Sequence, residues 1–83
     1  MVIKLYVGSL PWLMDDKQLL GMFEVHGKVI SAKIIRDHVS GRSRGFGFME
    51  MDDLSDAKNA VNVLNNSEIS GRYIIVKEAR PHG

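Results

Sequence analysis

The chain switches repeatedly between a two-residue and a three-to-four-residue hydrophobic period. Residues 2–8 (VIKLYVG) put Ile3, Leu5 and Val7 on one side and Lys4, Tyr6 and Gly8 on the other, the pattern of a half-buried strand. "SLPW" ends it. Asp15 followed by Gln18 fits an N-cap with its capping-box partner, and Met14 and Leu19 are spaced as a hydrophobic staple. This predicts a helix over 16–26 that buries Leu19, Leu20 and Phe23, with Met22 beside them and Gly27 as the C-terminal cap.

Residues 29–36 (VISAKIIR) are β-rich but alternate less cleanly, with Ala32 and Ile34 opposite Lys33 and Ile35. "DHVSGRS" then reads as the basic, flexible loop of a β-hairpin. A strand over 44–51 (RGFGFMEM) follows it. Asp53 or a neighbour caps a second helix, in which Leu54, Ala57, Ala60, Val61 and Leu64 recur at helical spacing. "NNSEISG" closes that helix, and 73–79 (YIIVKEA) is the last strand, with Ile74 and Val76 opposite Tyr73, Ile75 and Lys77. The order strand, helix, strand, strand, helix, strand is the α+β, ferredoxin-like βαββαβ arrangement. Its four-stranded antiparallel sheet carries both helices on one face and leaves the other open.

The strand over 44–51 decides what lies on the open face. One of its sides is Gly45, Gly47, Met49 and Met51; the other is Arg44, Phe46, Phe48 and Glu50. Turning the second set inward would bury two charges, at several kcal/mol each on the order found in real proteins. The phenylalanines therefore face out, beside Tyr6. Lys4, Lys33, Arg44 and Lys77 ring them, and Arg42 and Arg80 lie beside extended segments nearby. An exposed aromatic patch of this kind marks a binding surface. Rings interleaved with cations suit single-stranded nucleic acid, since bases stack on rings while phosphates meet cations.

Composition narrows the alternatives. The 83 residues, 45% hydrophobic and 25% charged, suit one small globular domain over 1–83. Net charge is only +1, so a case for nucleic acid rests on where the cations sit. With no cysteine, thiolate metal sites, disulfides and cysteine nucleophiles are excluded. His26, His38 and His82 are too scattered for a metal site, and no cofactor is expected. "GRSRGFG" lacks the Gly-Lys-Ser/Thr ending of a phosphate-binding loop. A small acyl-phosphate hydrolase on the same strand order would need an arginine and a catalytic amide in the first loop, and residues 9–14 supply neither. No signal peptide and no 18-residue apolar run is present, which predicts a cytoplasmic protein without a membrane partner.

"RGFGFMEM" at 44–51 resembles the octamer of the RNA recognition motif family, and "LYVGSL" at 5–10 resembles its hexamer. Both fall on neighbouring central strands, and "LPW", "GRYIIVKEA" and the D-x-x-x-G of the hairpin loop also look like family positions. A solitary copy is similar to the short single-domain members found in bacteria. The resemblance implies a non-catalytic module, expected as a monomer, that stacks two or three bases of single-stranded RNA. Tyr6 and Phe46 or Phe48 would stack, Phe48 also touching sugars, and Arg44 would reach phosphate. Lys4, Lys33, Lys77 and the chain after Ala79 would flank the strand, with single-stranded DNA as an alternative ligand. A protein partner covering the same face is the competing expectation. Two positions depart from the family pattern: Met51 where an aromatic is usual, on the core side, and Ser9 where the hexamer usually has Asn. Trp12, following Pro11 at a strand end, is expected to pack on the domain.

Overall fold

The computed structural model describes residues 2–79. Its elements are β1 (Ile3–Gly8), α1 (Asp16–Glu24), β2 (Val29–Arg36), β3 (Ser43–Met51), α2 (Leu54–Leu64), β4 (Glu68–Ile69), β5 (Arg72–Tyr73) and β6 (Ile75–Glu78). The main sheet has the order β2-β3-β1-β6 with every neighbouring pair antiparallel. This is the expected α+β, ferredoxin-like arrangement.

Strand alternation puts the apolar positions against the helices. Leu5, Val7, Ile34, Met49, Met51, Ile74 and Val76 are buried together with Leu19 and Phe23 of α1 and Ala57 and Ala60 of α2. Met51 is fully inside, so its departure from the family pattern concerns packing. The small side chains of Ala57 and Ala60 let α2 lie close to the sheet.

Helix α1 begins as its sequence predicts. The Gln18 N–H donates to Asp15 Oδ1 at 2.8 Å, the Asp15 N–H donates to Gln18 Oε1 at 2.9 Å, and the Met14 and Leu19 side chains are both buried. It ends two residues short of the expected boundary, at Glu24, because the last turn tightens: His26 N–H bonds Phe23 O and Gly27 N–H bonds Glu24 O. Asp53 caps α2 by accepting the Asp56 N–H at 2.9 Å.

Two features depart from the expected pattern. The uneven alternation of β2 has a physical cause, since its register with β3 shifts between Val29 and Ser31 and again between Ile34 and Arg36. "NNSEISGRY" is also more than a closing loop. Ser70 and Gly71, both at positive φ, make a tight two-residue turn between β4 and β5, and the last strand of the main sheet starts at Ile75 instead of Tyr73.

Both edges of the sheet are held by side chains from the helical layer. The Ile34 N–H of β2 donates to Asp16 Oδ1 at 2.8 Å, and the Val76 N–H of β6 donates to Asn65 Oδ1 at 2.9 Å. The loop joining β2 to β3 is organised around Asp37. Its N–H bonds Arg42 O, its C=O accepts the Gly41 N–H, and its carboxylate accepts the Val39 and Ser40 N–H groups at 2.8 and 3.0 Å. Those two amides, Ser40 foremost, and the nearby Arg44 hold the Asp37 carboxyl below its ordinary 3.8.

A folded-state pKa below the unfolded value stabilises the loop above the ordinary carboxylate pKa, and that stabilisation fades as pH falls through the lowered value. An NMR acid titration should therefore show the Val39 and Ser40 amides moving with a midpoint below 3.8, while Asp37→Asn removes the transition. Gly47 gives the second test. A Cβ there would sit 2.6 Å from the Lys33 carbonyl oxygen and 3.1 Å from Ile34 Cα, both backbone atoms. Gly47→Ala should lower stability in urea denaturation by about 1–3 kcal/mol; an unchanged midpoint would mean that β2 can give way.

Candidate nucleic-acid interface

The outer face of the sheet is built from one row of cross-strand partners. Lys33 on β2 stands opposite Phe48 on β3, Phe48 opposite Tyr6 on β1, and Tyr6 opposite Lys77 on β6. A cation, two rings and a cation thus run across the four strands. Phe46, two residues along β3, adds a third ring: Tyr6 and Phe46 stack with centroids 5.9 Å apart and 30° between planes. Phe48 meets Tyr6 at 5.7 Å and Phe46 at 6.1 Å, both edge-on. These separations are those of favourable aromatic pairs, so the rings brace one another while each keeps part of its surface open.

The cations lie over the rings. Lys4 Nζ is 4.9 Å from the Phe48 centroid and Lys77 Nζ is 5.4 Å from the Tyr6 centroid, within the range of a cation–π contact. Both ammonium groups are thereby held at the rim. Lys4 stands opposite Glu50, whose carboxylate accepts the Ser31 hydroxyl at 2.7 Å. Lys33 and Arg44 are exposed at the two sides of β3. Ile75 stands opposite Gly8 at the margin of the face, and Ile35 helps line a hollow with Lys33 and Phe48.

Glycine makes room for this surface at Gly8. A Cβ at Gly8 would come within 2.5 Å of the Tyr6 hydroxyl, so the ring of Tyr6 lies across a position that carries no side chain. Next to it, Ser9 takes φ +57, a left-handed conformation for which Asn is better suited than Ser. The departure from the hexamer pattern therefore falls on a strained turn, and Arg72 supports it: Nε donates to the Ser9 carbonyl at 3.2 Å and a terminal nitrogen reaches its hydroxyl at 3.4 Å.

The sequence-predicted residues sort into three groups. Lys4, Tyr6, Lys33, Phe46, Phe48 and Lys77 share the outer face, with Arg44 at its hairpin end. Arg42 lies apart from the rings, in the loop after β2, where it lines a groove with Trp12, Arg36 and Arg44. Arg80, the chain after Ala79 and His82 lie outside the described residues. Trp12 differs from its expectation. Its indole lies near Gly45, where an added Cβ would be 3.8 Å from the ring, and under the Arg72 guanidinium 6.0 Å from its centroid, yet the residue is 61% exposed. Arg36 and Arg72 belong to this end of the molecule and carried no sequence signal, since Arg36 reads as a strand end and Arg72 meets Ser9 from 63 residues away. Among the described residues no group of three or more His, Asp or Glu side chains could hold a metal ion.

The family profile of the RNA recognition motif matches residues 5–75. The chain is 45% identical over 76 residues to a 29 kDa chloroplastic ribonucleoprotein of Arabidopsis thaliana, covering 92% of this chain and 22% of that protein. It is 42% identical over 78 residues to the glycine-rich RNA-binding protein GRP1A of Sinapis alba, covering 94% and 47%. It therefore spans less than half the length of these relatives. Among solved structures, the RNA-binding protein PG1 superimposes with a TM-score of 0.91 at 45% identity, covering 96% of this chain and 99% of that one. A Sex-lethal protein–RNA complex matches with a TM-score of 0.91 at 32% identity, covering 96% and 48%.

The relatives overturn the cytoplasmic expectation, because several of them, from Arabidopsis thaliana, Spinacia oleracea and Nicotiana sylvestris, are chloroplastic. The reason is physical: a domain's fold carries no address, and the leader segments that do carry one need not fall within the matched stretch. Domain topology, paired ring-bearing strands and profile all agree, and the chain belongs to the RNA recognition motif family.

Proposed function

We propose that this domain binds single-stranded RNA on the outer face of its sheet, as a non-catalytic module in post-transcriptional RNA regulation or RNA chaperoning. The observation that carries this reading is the cross-strand row Lys33, Phe48, Tyr6, Lys77 with Phe46 beside it. Two or three bases stack on Tyr6, Phe46 and Phe48, with Phe48 also meeting a sugar. Lys4, Lys33 and Lys77 flank the strand at the rim, Arg44 and Arg42 meet phosphates toward its hairpin end, and Arg80 is a further phosphate contact inferred from the sequence alone. The relatives named as ribonucleoproteins and the RNA-bound structures of similar domains support this reading. Single-stranded DNA offers the same bases and phosphates to the rings and cations, so selection for RNA rests on contacts to the 2′-hydroxyl.

Binding energy divides between rings and cations in a way that two measurements separate. Each stacked base is worth about 1–3 kcal/mol by alanine substitution. Phe46→Ala/Phe48→Ala should therefore weaken binding of a short single-stranded RNA by at least about tenfold in a fluorescence anisotropy titration. Undiminished binding would refute the stacking role. If a protein partner were lost instead, with RNA binding intact, the face would be a protein-docking surface. Lys33→Ala/Lys77→Ala should reduce the steepness of log affinity against log salt by about 1.4, at about 0.7 per phosphate contact on a single strand. An NMR titration in which shifts fall only on α1 and α2 would place the ligand on the wrong side of the sheet.

A further inference from the structure

We propose that Glu50 selects the base stacked on Phe48 and favours guanine, with Lys4 and Ser31 on either side completing the reading edge. The proposal rests on the sheet face being the RNA surface, and it adds what that surface chooses.

Beside the row that carries the rings runs a second, polar row: Ser31 on β2 stands opposite Glu50 on β3, and Glu50 stands opposite Lys4 on β1. Two residues of strand separate the rows, about 7 Å. A base lying on the Phe48 ring therefore has one edge within reach of these side chains. Lys4, Ser31 and Glu50 line one hollow together with Lys33 and Phe48, and Lys4 Nζ is already 4.9 Å from the Phe48 centroid.

Glu50 is the acid of this face. In the four strands of the main sheet the other acidic residue is Glu78, which lies on the helical side in a hollow with Leu5, Ala57 and Lys58. A carboxylate on a surface that meets a polyanion lowers affinity for every strand alike. Such a cost suits a selecting group, since specificity comes from refusing wrong partners as well as from holding the right one. Ser31 orients the carboxylate: its hydroxyl donates to Oε1 at 2.7 Å, while Oε2 takes no hydrogen bond from the described residues. With its proton engaged by Glu50, the Ser31 oxygen is left to accept.

The order of the row then picks the base. From β1 to β2 it offers a donor, the Lys4 ammonium, then an acceptor, the Glu50 carboxylate, then a second acceptor, Ser31 Oγ. Guanine answers with acceptor, donor, donor along its pairing edge: the O6 oxygen, the N1–H and the N2 amino group. Adenine, cytosine and uracil do not match this order in either direction. The two guanine donors also meet a charged acceptor, which makes stronger hydrogen bonds than a neutral one.

Fluorescence anisotropy with the single-stranded RNAs UUUUU, UUGUU, UUAUU, UUCUU and UUIUU, where I is inosine, tests the selection. UUGUU should bind about tenfold tighter than UUUUU. Inosine keeps O6 and N1–H but lacks the amino group, so UUIUU should fall between them. Glu50→Gln separates reading from folding, because its carboxamide oxygen can still accept the Ser31 hydroxyl while its amide nitrogen puts a donor where the second acceptor was. The variant should keep the wild-type amide spectrum and bind the five RNAs with nearly equal affinity. The proposal is overturned if the wild type binds UUGUU no tighter than UUUUU, or if Glu50→Gln keeps the guanine preference. Equal tightening of all five RNAs in that variant would make Glu50 a plain electrostatic brake and also overturn it. Loss of discrimination between UUGUU and its deoxy counterpart, with guanine still preferred, would give the carboxylate to the ribose, again against the proposal. If none of the RNAs binds, the sheet reading falls and this one with it; binding without selectivity sinks this one alone.

Discussion

The backbone of β2 passes so close to β3 that only a hydrogen fits on the inward side of Gly47, and the outer face depends on this contact. A Cβ there would lie 2.6 Å from the Lys33 carbonyl. The same strand that approaches Gly47 from behind presents Lys33 in front, opposite Phe48. Gly45 takes φ +80 at the hairpin end of β3, where the Leu10 N–H bonds the Gly45 carbonyl. Of these two glycines, Gly47 is required by the close approach of β2 and Gly45 by its positive φ.

The ring surface is assembled from side chains that gain little from being where they are. Tyr6, Phe46 and Phe48 remain half-exposed, although a second layer could have covered them. They are positioned by edge and stacked contacts with each other and by the ammonium groups of Lys4 and Lys77. Such contacts are worth about 0.5–1.5 kcal/mol per aromatic pair, enough to orient rings but not to bury them. The apolar area left facing water is of the kind that marks a binding surface. The net charge of +1 hides a face on which the cations are gathered at the rim.

How much of this was legible in the chain depends on the length of each element and the separation of its partners. β1 and β3 were readable because six and nine residues hold enough alternation to fix a face, and the charges of Arg44 and Glu50 decide its sign. Helix caps were readable because their bonds span three residues. The bulges of β2 blurred its pattern, and strands of two residues such as β4 and β5 have no period to detect. Within the interface the rings were found from alternation, whereas Arg72 was not, because its role depends on Ser9 at the far end of the chain. Trp12 was misjudged for a related reason. Its neighbours in space, Gly45 and Arg72, come from two distant segments, and together they cover only part of the indole.

The amide caps at the two margins of the sheet bear on what can pair with it. With the Ile34 N–H engaged by Asp16 and the Val76 N–H by Asn65, a strand offered by another chain would have to displace a carboxylate on one side or a carboxamide on the other. Each edge strand of the four-stranded sheet thus has an outward amide already engaged by a side chain of its own domain. Two polar side chains on the helical layer, neither of them near the aromatic face, in this way guard the margins of the sheet against pairing with another strand.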